Sequence, residues 1–243
     1  MSVRSEARRH RDELGGVVAE YWDKPTPLVI GIFVAVWLLF SGLTLINPGE
    51  TLLLAVAPTV TFAFLLAVAL LYVGHERLLV CERGLVIGSF APGLRPYVLR
   101  YDQIVPGSVV PVTGARRYAR ETGPGGPAQS TVRRNAWTRQ GLHLVGPSPK
   151  AARRHRARFA ALQDPPPRSV DGRWVWFAGT GSTPPEQVTA QIARAAGAAG
   201  AVQLAQATAA APVRELSGNP ADAARQLPGF PAVPDLRGRE VRR

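Results

Sequence analysis

Apolar positions follow two different patterns along this chain, and the change between them divides it. From Pro27 to Val73 two uncharged runs, PLVIGIFVAVWLLFSGLTLI and TLLLAVAPTVTFAFLLAVALLYV, are separated only by Asn47-Pro48-Gly49-Glu50. At about 1.5 Å of helical rise per residue, each run is long enough to cross a hydrocarbon core about 30 Å thick. The pattern predicts a transmembrane helical hairpin with spans at 27–46 and 51–73 and a short outer turn at 47–50. Neither run holds an ionisable residue, which argues for a tether rather than an ion or proton path. Pro58 predicts a kink in the second helix, and Gly31 with Ala35 and Ala63 with Ala67 would let helices approach closely.

On the N-terminal side, residues 1–26 are polar, with Leu14, Val17, Val18, Tyr21 and Trp22 at the spacing of one helix face. They read as a cytoplasmic amphipathic arm, weakened by Gly15 and Gly16. From His75 the period shortens to two. ERLLVCERGLVIGS predicts a hairpin turning at Glu82-Arg83-Gly84, RPYVLRYDQI a third strand, and SVVPVTG a fourth, at an edge because Pro111 has no N–H to donate. Residues 115–136 are aperiodic and glycine-rich and predict a mobile loop. QGLHLVG and RWVWFAG supply two more strands. Thr183-Pro184-Pro185-Glu186 predicts a capping box that opens a helix through Val188 and Ile192, ending at Gly197 or Gly200. The Ala-, Pro- and Arg-rich residues 201–243 predict a disordered tail. The soluble domain is thus expected at 75–200.

Charge changes this picture in one place. The net charge is +12, and residues 76–158 carry fifteen basic and four acidic groups, against five and five in residues 1–26. Basic residues flank both ends of the hairpin and are missing from its turn, so the positive-inside rule places both termini in the cytoplasm of a multi-pass bacterial membrane protein. Arg116, Arg117, Arg133 and Arg134 of the loop, with Arg153, Arg154, Arg156 and Arg158, form the candidate anionic-surface contact. Only two of the 29 basic residues, Lys24 and Lys150, are lysine. That bias is what a GC-rich genome would produce, so a plain solvated face is the competing reading.

Candidate chemistry is sparse. The single cysteine, Cys81, allows no intramolecular disulfide, and His10, His75, His143 and His155 stand at no metal-ligand spacing. No nucleophile-elbow, zinc-protease or phosphate-loop pattern occurs. No catalytic, cofactor-binding or metal residue is assigned. Nucleic acid is not an expected partner, because basic charge alone is not a recognition signature.

Glu76–Ser89, Tyr97–Ile104, Gly141–Gly146 and Trp174–Ala196 together give short strands followed by one helix, directly after a two-span hairpin. This layout resembles the bacterial pleckstrin-homology-like domains of small actinobacterial membrane proteins. The resemblance implies an α+β soluble domain, a PH-like antiparallel β-barrel or sandwich closed by a C-terminal helix. It also implies a binding or scaffolding role. The expected function is a non-enzymatic membrane-tethered scaffold whose domain engages a protein or anionic-lipid partner at the inner leaflet. The alternative is an accessory subunit of a transporter or cell-envelope synthesis complex that acts through the hairpin.

Overall fold

The computed structural model describes residues 3–46, 52–115, 137–154, 173–216 and 226–229, leaving aside the side chains at 3, 4, 44, 45, 52–55 and 73. Helices α1 (Val3–Arg9) and α2 (Arg11–Leu14) lead into strand β1 (Val17–Trp22). Two long helices follow, α3 (Pro27–Ile46) and α4 (Leu52–Val73). Next come β2 (Glu76–Cys81), β3 (Gly84–Ser89) and β4 (Tyr97–Arg100). The described chain continues through β5 (Val110–Thr113), β6 (Gln140–Gly146), the single turn α5 (Pro149–Ala152) and β7 (Trp174–Gly179). It closes with α6 (Pro185–Ala198), α7 (Val202–Ala209) and β8 (Arg214–Glu215).

The strands form two four-stranded sheets, in the orders β1-β2-β3-β4 and β7-β6-β5-β8. Pairing is antiparallel except where β8 runs parallel to β5. The hairpin read from ERLLVCERGLVIGS is present, with Leu78 opposite Ile87 and Val80 opposite Leu85. Successive side chains in a strand point to opposite faces, so those four residues share a face with Tyr97 and Leu99. They meet Leu142, Leu144, Trp176 and Ala178 of the second sheet in one core, to which α6 adds Val188, Ile192, Ala195 and Ala196. Tyr97 and Trp176 pack edge to face at 4.9 Å.

The alternate positions are buried as well. Leu79, Cys81, Val86 and Val98, on the outer face of the first sheet, pack with Leu14 and Phe90. Val110, Val112, Val145, Val175 and Phe177, on the outer face of the second, pack with Leu216 and Leu227. Two-sided burial is why these strands read as unbroken apolar runs such as LLVC and WVWF. It also explains two departures from expectation, because both chain ends are needed as covers. Gly15, at φ +76°, ends the helix after Leu14, and the rest of the expected amphipathic arm is strand β1 paired with β2. The expected disordered tail supplies α7, β8 and the buried Leu216 and Leu227.

β1 and β2 are neighbours, with Trp22 opposite Arg77, so α3 and α4 are inserted into the turn of a β-hairpin. The expectation of two membrane spans is corrected: among the described residues no helix is long and apolar enough to cross a membrane. The transmembrane hairpin, the multi-pass localisation and the topology built on it fall with that expectation. The structure gives an α+β fold of two sheets carrying an apolar helical hairpin.

Two smaller expectations also change. The N-cap of α6 is Pro184, without a side-chain bond. Thr183 instead donates its backbone N–H to the Thr180 carbonyl at 3.2 Å, so the predicted capping box does not form. The mobile loop expected at 115–136 lies outside the described residues apart from Ala115, which is buried.

Candidate interaction surfaces

The base of the helical hairpin is fastened to the body by groups from both sheets. The Trp22 indole N–H donates to the Gly74 carbonyl at 2.7 Å, joining the end of β1 to the exit of α4. Arg77 lies 4.1 Å and Lys24 4.7 Å from the Trp22 ring centroid, and Arg77 also pairs with Glu20. Next in the chain, buried Asp23 accepts the Thr138 hydroxyl on its carboxylate and the Trp137 indole N–H, at 3.1 Å, on its carbonyl. Gly179 makes room for this carboxylate, since a Cβ there would come within 2.8 Å of it. Tyr72 donates to the Pro92 carbonyl at 3.0 Å and ties α4 to the segment between β3 and β4.

Above this base the two helices have no charged side chains and cannot bury their apolar ones against each other. Phe40 and Phe62 meet at 4.5 Å across the pair. Leu28, Leu39 and Phe64, by contrast, are 68, 66 and 66% exposed. At 100° per residue, the exposed Leu28, Ile30, Ile32, Val34, Val36, Leu38, Leu39 and Leu43 spread around most of α3 rather than along one stripe. A Cβ at Gly31 or Gly42 would meet nothing within 4 Å, which leaves clearings where another backbone can come close. A notch of about 470 Å³ lies between the helices, lined by Phe40, Ala57, Pro58, Thr61, Phe62 and Leu65.

The predicted arginine surface is not gathered by the described structure. Arg116, Arg117, Arg133, Arg134, Arg156 and Arg158 lie outside the described residues. Arg153 donates to the Tyr97 hydroxyl at 3.1 Å and lies over its ring. Arg154 forms a forked pair with Glu13, 2.6 Å at the closest. Those hydrogen bonds hold the Glu13 carboxyl below the usual carboxylate range. Both arginines therefore tie α5 to the first sheet and to α2.

Groups with reactive potential sit in packed surroundings. Burial, with the Glu82 charge beside it, pushes the Cys81 thiol up to about 12, so it stays protonated. His143 is fully buried on the outer face of the second sheet, with Nε2 2.7 Å from the Pro228 carbonyl. Burial pushes its imidazole down to about 4, against the opposing pull of that bond. His75 Nδ1 lies 2.6 Å from the Leu71 carbonyl, and His155 is outside the described residues. Among the described residues no three His, Cys, Asp or Glu side chains are grouped to hold a metal ion. The base of the hairpin was not anticipated from sequence. Its one local signal was VVAEYW, rich in β-branched and aromatic residues just after Gly15-Gly16.

Compared with known proteins, the chain matches no family model, no curated protein and no solved structure.

Proposed function

We propose that this protein is a non-enzymatic scaffold that engages a partner protein through the α3–α4 hairpin, with the α+β body holding that hairpin at a fixed base. The observation that carries this reading is the apolar surface of the hairpin, exposed around most of α3. Contiguous apolar surface of this extent marks an interaction site. The occupant must itself be apolar, because helix backbones satisfy their own hydrogen bonds and these flanks offer no charge to pair. Apolar helices of the partner fit best, seated by ridges at the clearings of Gly31 and Gly42. The two sheets sharing one core closed by α6 support the binding-module character implied by the pleckstrin-homology-like layout. The two described arginines of the anionic-surface reading already have partners within the chain, so the hairpin is the better-supported contact.

Photo-crosslinking inside the native cell tests this. A photoreactive residue at Leu39 or Phe64 is expected to give one adduct of common mass, and the same residue at exposed Asp102 none. Gly31→Leu and Gly42→Leu fill the clearings and are expected to weaken the hairpin adduct. Adducts from Asp102 alone would overturn the proposal.

A further inference from the structure

The outer face of the second sheet is covered in an unusual way. β5 pairs with β6 along its length, but with β8 only at Val112 and Thr113. Pro111, the next residue, has no N–H with which to extend that second pairing. Beyond β8 the Leu216 N–H donates to the Thr113 carbonyl at 3.1 Å. The Leu216 side chain then joins Val110, Val112, Val145, Val175 and Phe177, as does Leu227. The third anchor is the contact between His143 and the Pro228 carbonyl. Residues 209–215, which lead from α7 to Leu216, are exposed apart from half-buried Ala211. Among the described residues the anchors of this segment are two leucines, a two-residue strand and the contact to one buried histidine, and a weakly anchored segment is where local opening is expected.

We propose that this face and the edge of β5 that β8 covers form a docking site for an apolar peptide that adds a short parallel strand, which the chain fills with its own C-terminal residues. The seated segment defines the chemistry of a competing partner. It is a peptide with two residues pairing parallel to Val112 and Thr113, one leucine in the place of Leu216 and a second apolar side chain in the place of Leu227. It also presents a backbone carbonyl to His143. Strand addition supplies the backbone hydrogen bonds, and the side-chain sockets supply selectivity. Arg214 and Glu215 are exposed, so the partner's residues at those positions are unconstrained. This site lies apart from the hairpin and does not depend on its role.

The test uses the full chain in mild detergent, which covers the hairpin, and a fluorescent synthetic peptide of residues 211–229 followed by anisotropy. The double variant Leu216→Ser, Leu227→Ser removes the resident competitor. It is expected to bind the peptide at least about tenfold more tightly than the wild type, because a site closed most of the time shows reduced apparent affinity. A second chain, Thr113→Cys with Glu215→Cys, places cysteines at directly paired positions. Oxidised, it is expected to bind no peptide; reduced, it should bind as the wild type does. Equal binding to wild type and double variant, peptide bound equally by the oxidised and reduced lock, or binding to none of the chains would overturn the proposal. Where circular dichroism shows the double variant unfolded, the lock comparison decides alone.

Discussion

His143 carries the clearest pH signature among individual residues. In the unfolded chain an imidazole titrates near 6.5, while in the fold this one is pushed down to about 4. Between those values the unfolded state binds more protons, so stability falls as pH drops through the window and is fully present above it. The contribution is on the order of 3 kcal/mol when fully lost. His143→Leu should flatten the dependence, and urea midpoints at pH 7 and 4.5 would show it; an unchanged slope in the variant would contradict the assignment. Burial tends to raise the Glu6 carboxyl, but the His10 hydrogen bond and the charges of Arg9, His10 and Arg95 leave it lowered. Its contribution is lost at more acidic pH, as pH falls through the lowered folded value. Gly84 gives a second prediction. A Cβ there would come 2.8 Å from Leu14 Cδ2 and 3.0 Å from Arg100 Cα, so Gly84→Ala should cost about 1–3 kcal/mol, read as a lower thermal midpoint. Gly84 was legible as a turn residue. Its second duty, making room for Leu14 seventy positions away, leaves no local trace.

At the scale of elements, period and turn chemistry located β2, β3, β4, β6, β7 and α6 and the bounds of both long helices. They did so because each element's apolar spacing is set by its own neighbours. β1 was misread as helix because five apolar residues happened to fit a 3.6 period, while the Val, Tyr and Trp content pointed to strand. The capping box failed because the turn at Thr180–Thr183 takes up the threonine backbone. Unbroken apolar strands implied outer covers, but not which segments supply them. Removing a cover is therefore costly: Leu14→Ala should destabilise the protein by about 2–5 kcal/mol. Glu13→Gln should cost under about 1 kcal/mol, because both partners of the Glu13–Arg154 pair are more than a quarter exposed. Comparable losses in chemical denaturation would mean that the ion pair, rather than the apolar cover, secures α2.

For the whole molecule, the apolar runs showed that a helical hairpin exists, whereas its place in the topology is a long-range fact. β1 and β2 lie 55 positions apart at Trp22 and Arg77 yet are hydrogen-bonded neighbours. The body therefore surrounds the hairpin in sequence instead of following it, and the hairpin's surface is the part that the body leaves uncovered. A Cβ on Gly74 would sit 3.1 Å from Pro25 Cγ, so the chain enters and leaves the hairpin at adjacent points. Replacing residues 26–73 with a short Gly-Ser linker tests both halves of the account at once. The shortened chain should keep the strand signature of two sheets, unfold cooperatively and stay monodisperse without detergent, while the adduct that the intact chain forms with its partner from Leu39 should have no counterpart when the crosslinker is moved to the body. A shortened chain that fails to fold, or one that still captures the same partner, would contradict it.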